Sequence, residues 1–172
     1  KNTSFFKKFK FFLSSNLMSH CSFATMVNID AILCASSDDA DYIQKQYPKY
    51  SHKVFSISYG LSPDFLNLKI PKENTQVVKL LFVGQYLERK GINDIKITLS
   101  KLKESSLPFQ ITFVVNEEAI ADVKQDFNFI DGSCLKVSSW MKREELIATY
   151  KKNDIFLMSF YGEGFGKTVI EA

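Results

Sequence analysis

The stretch Val78-Lys79-Leu80-Leu81-Phe82-Val83-Gly84, followed by Phe109-Gln110-Ile111-Thr112-Phe113-Val114-Val115, decides the fold. Both runs are rich in β-branched and aromatic residues and apolar at most positions, as expected of strands buried on both faces. Residues 91–103 between them read as a helix, long enough for the crossover that parallel strands require. Downstream the alternation continues. A helix is expected over 117–127, a turn at Asp131-Gly132, a strand over 135–138, a helix over 142–152 and a strand over 155–159. A Gly-rich turn and a new helix from Lys167 follow. Upstream, 29–35 and 53–57 read as strands around a helix capped by Ser36 or Ser37, with Asp38 and Asp39 in its positive first turn and Pro48 as its stop. The turn Tyr59-Gly60-Leu61-Ser62-Pro63-Asp64 and the polar stretch 71–75 mark a boundary. The expected fold is α/β, a Rossmann-like parallel sheet with helices on both faces, divided into 1–60 and 61–172. In such sheets ligands bind at the carboxyl ends of strands, which directs attention to the loops after Val83, Ser138 and Ser159.

Composition narrows the function. A chain of 172 residues with 45% hydrophobic content can bury a sizeable core, and a net charge of +3 gives no reason to expect nucleic acid as a partner. Cys21, Cys34 and Cys134 are far apart and lack metal-ligand spacing, so free thiols in a reducing compartment are expected. His20 and His52 have no Cys or carboxylate at ligand spacing, and no metal is expected. No secretory leader and no apolar run long enough to span a bilayer can be read. The first 27 residues read as a helix with Phe5, Phe9, Phe12 and Leu13 on one side and Lys7, Lys8 and Lys10 between them. One reading is peripheral membrane association that suits a lipid-linked substrate. The plainer and preferred one is a domain helix with its lysines in water. Both chain ends have the look of cuts, Lys1 in place of Met and a helix scarcely begun at Ala172.

Chemistry concentrates in Tyr161-Gly162-Glu163-Gly164-Phe165-Gly166-Lys167-Thr168-Val169-Ile170-Glu171. An ATPase-type phosphate loop fails here, because only three residues separate Gly162 from Gly166 where four are needed. The dinucleotide fingerprint fails as well, since its third glycine would be Lys167. What survives is physical. Glycines after a strand let backbone approach a ligand, and the following helix offers the amides of Lys167, Thr168 and Val169 at its positive end. Glu163 and Glu171 can face the same cleft, and two carboxylates beside an anion site need hydroxyl groups to bind. A nucleotide sugar has phosphates in the middle and polyols on both sides.

Glu163-Gly164-Phe165-Gly166 with Glu171 eight positions after Glu163 resembles the E-x7-E signature of retaining GT-B fold glycosyltransferases, group 1 or family GT4. That resemblance implies that Glu163 contacts the donor sugar, that Glu171 contacts the ribose, and that the turn from Gly164 through Val169 meets sugar hydroxyls and pyrophosphate. Leu80-Leu81-Phe82-Val83-Gly84 with Glu88-Arg89-Lys90-Gly91 resembles the family's first donor-domain strand and basic loop, which implies that Arg89 and Lys90 neutralise the pyrophosphate. Members commonly carry Arg after the glycine, where this chain has Gln85, so Arg89 is the arginine candidate. Val137 to Met141, then Glu144, Leu146, Tyr150 and 154–159 resemble the family's approach to the E-x7-E turn. There the loop 139–142, with Trp140 and Met141, receives the base. Trp140 is read equally well as a core residue.

The resemblance implies a truncated GT-B architecture, with 1–60 the end of an acceptor-side domain and 61–172 an incomplete donor-binding domain. It implies transfer of a hexosyl-type sugar from a nucleoside diphosphate sugar to a glycan or lipid-linked acceptor, with retention and no cofactor. The expected location is the cytoplasm, including its membrane surface. The residues expected to act are Glu163, Arg89 and Lys90 in catalysis, with Gly84 lining the donor site. The piece alone is expected not to turn over. The competing readings are a non-catalytic GT-B-like binding module and a glycoside hydrolase. The hydrolase is disfavoured because Glu163 and Glu171 lie on one turn-and-helix unit rather than on opposite sides of a sugar.

Overall fold

The computed structural model describes residues 24, 26–66, 76–162 and 166–172. The chain divides into two compact units, Lys1–Tyr59 and Gly60–Ala172. The helix expected over the first 27 residues, with its membrane reading, lies outside the described residues except at 24, 26 and 27.

In the first unit, β1 (Ile32–Cys34) and β2 (Val54–Ser56) pair in parallel, with Leu33 opposite Phe55. Helix α1 (Ser37–Gln46) crosses between them. Ser36 is its cap: the Oγ accepts the Asp38 N–H at 3.2 Å, which satisfies an orphan donor of the first turn. Pro48 ends it by opening a 3-10 stretch, Pro48–Lys53. Cys34, Ala40 and Val54 are buried between helix and strands. Lys53, read from sequence as the first residue of a strand, instead sends its ammonium to the carbonyls of Val27 and Ile29, at 3.4 and 2.7 Å.

The second unit is built on four parallel strands in the order β5-β4-β3-β6. They are β3 (Val78–Val83), β4 (Phe109–Val114), β5 (Leu135–Ser138) and β6 (Ile155–Phe156). The crossovers carry α2 (Ile92–Glu104), α3 (Ile120–Asp126) and α4 (Arg143–Lys151), and α5 (Lys167–Glu171) follows β6. The two-residue period of β3 explains why both faces are apolar. Leu80 and Phe82 join Ile111, Phe113, Ile95 and Leu99 of α2, and Val123 of α3 in one core. Leu81 and Val83 point the other way, to Val114 and to Tyr150 of α4, with Phe65, Met141, Leu146 and Phe156 packed around them. Helices therefore cover both faces, as the apolar strands require.

The strands expected over 29–35 and 53–57 are confined to Ile32–Cys34 and Val54–Ser56, and two elements of the second unit also depart from their pattern. Over 117–127 the first turn, Glu117–Ala119, is 3-10: the Ala119 N–H takes the Asn116 carbonyl at 3.0 Å before α3 begins. The strand expected over 155–159 pairs only through Phe156, although the Leu157 N–H still reaches the Leu81 carbonyl at 2.7 Å. Beyond that point the backbone turns to other partners, which form the site described below.

Phe113 is 0% exposed, and its ring lies 5.6 Å from that of Phe82 and 4.7 Å from that of Phe127. Truncating it leaves a cavity that the surrounding strands cannot fill. Phe113→Ala is expected to cost about 3–5 kcal/mol, read as a lower denaturation midpoint. A cost under about 1 kcal/mol would be incompatible with this core.

Candidate functional site

Strands β3, β4 and β5 advance in one direction across the sheet, and β6 then returns to the free side of β3. The loops leaving β3 and β6 therefore flank the point where strand order reverses, the crevice in which open α/β sheets hold ligands. The basic loop and the Gly-rich turn are these two loops.

The β3 loop runs from Gly84 through a 3-10 turn, Glu88–Lys90, to Gly91. Gly91 is left-handed, with φ 70°, and a Cβ there would stand 1.9 Å from the Ser159 carbonyl oxygen. Both the conformation and the contact exclude a side chain. The Ser159 Oγ donates to the Gly91 carbonyl at 2.9 Å, and the Tyr161 N–H donates to the Arg89 carbonyl at 2.9 Å. Arg89 and Lys90 thus lie on a loop bonded to the chain just before Glu163. Gly84 is less constrained, since a Cβ there would meet only the Phe82 ring at 3.5 Å.

The other end of the β3 loop is anchored through Tyr86. Its N–H donates to Asn116 Oδ1 at 3.4 Å, and its hydroxyl donates to Asp126 at 2.7 Å. Lys96 of α2 holds the second Asp126 oxygen at 3.0 Å. Burial, then the Asp126 carboxylate, pushes the Tyr86 phenol above its ordinary value. The hydrogen bonds from Tyr86 and Lys96 hold Asp126 below the usual carboxylate range. Tyr86, Glu88, Asn93 and Asp126 line an open polar cavity of about 390 Å³ beside this loop. A second cavity, of about 290 Å³, is apolar and lined by Val77, Leu107, Pro108 and Phe109. It sits at the amino ends of β3 and β4, away from both motifs.

Gly166, also left-handed at φ 63°, starts α5. The Glu171 side chain is only 11% exposed. It accepts from the Tyr150 hydroxyl at 3.4 Å and lies 3.7 Å from the Lys167 ammonium. Burial first, then the charge of Glu171, raises the Tyr150 phenol. Glu171 is therefore held in a set orientation by α4. Two contacts fall at residues expected in the donor site. The Val169 N–H, expected to face a ligand, donates to the Gly166 carbonyl at 2.9 Å, because the turn after a left-handed residue closes on itself. Met141, expected beside a base, packs into the core with Leu81, Val83 and Tyr150, and its sulfur accepts from the Thr149 hydroxyl at 3.3 Å. Trp140 is 51% exposed and is not a core ring. It follows β5, two strand spacings or roughly 10 Å from β3. Glu163, Gly164 and Phe165 lie outside the described residues.

The residues that sequence reasoning passed over are those that hold the loops: Ser159, Tyr161, Tyr86, Asn116 and Asp126. The one available signal was the glycine directly after Lys90. Among the described residues no three His, Cys, Asp or Glu side chains gather as a metal site, and no helix is long and apolar enough to cross a membrane.

No protein-family model matches the chain. An uncharacterized 41.2 kDa protein from the cps region of Klebsiella pneumoniae is 30% identical over 95 residues, which are 55% of this chain and 25% of that protein. Among solved structures, the apo lipopolysaccharide outer core galactosyltransferase WaaB aligns with 83% of this chain and 40% of its own, with a TM-score of 0.57 and 16% identity. The GtfA/B complex gives a TM-score of 0.60 at 17% identity over 87% of this chain and 29% of that one. The catalytic domain of Arabidopsis thaliana starch synthase IV, bound to ADP and acarbose, gives 0.58 at 11% identity over 85% and 38%. The chain thus spans a quarter to two fifths of the proteins it matches, and over that span it has the α/β, Rossmann-like fold of GT-B glycosyltransferases.

The Tyr86–Asp126 anchor has a pH signature. A carboxylate with a depressed folded value contributes stability above its ordinary range, and the contribution disappears as pH falls through the folded value. Asp126→Asn is therefore expected to be less stable than the parent at neutral pH. The gap in melting temperature should close on acidification below the ordinary Asp value of 3.8. A gap that is constant with pH would remove the ionic part of the anchor.

Proposed function

We propose that this chain is the donor-binding part of a retaining glycosyltransferase that moves a sugar from a nucleoside diphosphate sugar to a glycan or lipid-linked acceptor. The observation that carries this reading is the bonding of the basic loop to the Gly-rich turn, Tyr161 to Arg89 at 2.9 Å and Ser159 to Gly91 at 2.9 Å, at the sheet's reversal point. Cations from one strand end and a carboxylate-bearing turn from the next suit a ligand with a diphosphate between two polyols. The fold shared with WaaB, with the GtfA/B complex and with a starch synthase bound to ADP supports the same reading.

In this reading Arg89 and Lys90 face the diphosphate. As the bond between the anomeric carbon and the diphosphate oxygen breaks, negative charge grows on the leaving group, and cations already in place lower that barrier. Glu163 takes the sugar hydroxyls, and the acceptor hydroxyl oxygen attaches to the face that the diphosphate leaves while its proton passes to the departing diphosphate oxygen. Gly84, Gly164, Phe165, Gly166, Lys167 and Thr168 line the close approach of backbone to ligand. Glu171, an acceptor of hydrogen bonds only, takes the ribose hydroxyls while Tyr150 holds its orientation. Trp140 offers its open face to the base.

Calorimetry with UDP, ADP and GDP tests this directly. At least one is expected to bind, and Arg89→Ala with Lys90→Ala is expected to weaken that affinity by tenfold or more, about 1.4 kcal/mol. Glu171→Gln should weaken the nucleoside diphosphates while leaving inorganic pyrophosphate, which has no ribose, unaffected. No binding of any of the three nucleotides would turn the assignment to a non-catalytic module with this fold.

A further inference from the structure

Three consecutive carbonyls of the basic loop accept hydrogen bonds from one short piece of chain. Arg89 takes the Tyr161 N–H at 2.9 Å, Lys90 takes the Ser159 hydroxyl at 3.3 Å, and Gly91 takes the same hydroxyl at 2.9 Å. One hydroxyl proton is thus shared between two carbonyls at the start of α2. Gly91 makes the close approach feasible, because any side chain there would collide with Ser159 backbone. The residues involved are remote in sequence, 68 and 69 positions apart for the two Ser159 bonds, so nothing local holds them in this relation.

We infer that Ser159 and Tyr161 are positioning residues that lock the Arg89-Lys90 loop to the turn after β6, so that the cations are set before the diphosphate arrives. This rests on the donor-site reading above. The physical reason is reorganisation. Two flexible basic side chains on a free loop would have to order their backbone when an anion binds, and that entropy would subtract from affinity. A loop whose carbonyls are already bonded avoids the cost and presents its charges preorganised. Neither Ser159 nor Tyr161 needs to touch the ligand for this. Their effect runs through Arg89 and Lys90, which distinguishes positioning from direct binding.

The test uses UDP and ADP as calorimetric probes, with thermal melting as the control for folding. Ser159→Ala is expected to lose about tenfold in affinity for whichever probe the parent binds, and Ser159→Thr, which restores the hydroxyl, is expected to return to within about twofold. In a background of Arg89→Ala with Lys90→Ala, Ser159→Ala should cost nothing further, because the residues it positions are gone. Tyr161 is 65% accessible, so its ring fills no core space, and Tyr161→Pro removes the amide proton that the Arg89 carbonyl accepts; a several-fold loss of affinity in the folded variant is expected. That variant carries the test even where Ser159→Ala fails to fold. Parent-like affinity in a folded Tyr161→Pro or in a folded Ser159→Ala overturns the inference alone, as does a full tenfold loss from Ser159→Ala in the background without the cations. If the parent binds neither probe nor GDP, the donor-site reading falls and takes this inference with it.

Discussion

The position of β6 against β3 is the constraint on which the candidate site depends. It is a short contact. Leu80 pairs with Ile155 and Leu81 with Phe156, and Asp154 doubles the entry by accepting the Lys79 N–H at 2.8 Å while donating its own N–H to the Lys79 carbonyl at 2.7 Å. The Leu157 N–H adds one more bond, to Leu81. If β6 ran on the far side of β5, the basic loop and the Gly-rich turn would stand at opposite edges of the sheet. Their residues could not then meet one ligand.

The interface between the two loops is almost entirely backbone and small polar groups. That follows from the distance involved. Gly91 and Ser159 approach so closely that even a methyl group has no place between them, so the contact must be made by carbonyls, an amide and a hydroxyl. Larger side chains then do their work from the outside. Tyr86 reaches Asp126 and Asn116 to hold the near end of the basic loop, and Tyr150 crosses from α4 to hold Glu171. Each tyrosine brings an apolar ring that packs and a hydroxyl that bonds, which is what a boundary between core and site needs.

Most of the second unit's fold was legible in the chain. Runs such as 78–83 and 109–114 are apolar on both faces, and a strand of that kind has no stable place except the middle of a covered sheet. Helix ends were legible where a short side chain or a proline does the local work, as at Ser36 and Pro48. The contacts without a local signal are those whose partners lie far along the chain: the Lys53 ammonium reaches the carbonyls of Met26, Val27 and Ile29, and Met141 packs against Leu81 and Val83.

By itself the order of residues determined the alternation of strands and helices, the apolar content that makes the sheet two-sided, and the glycines and charges from which a donor site could be made. Those are local properties, set by periodicity and by the conformations each residue tolerates. Only the tertiary structure decided that β6 returns beside β3, that Ser159 and Tyr161 grip the carbonyls of 89–91, and that Tyr150 orients Glu171. Pairings between residues tens of positions apart have no local signature. They follow from how the whole core packs, and a hydrogen bond between two ordinary residues is invisible until that packing brings them together.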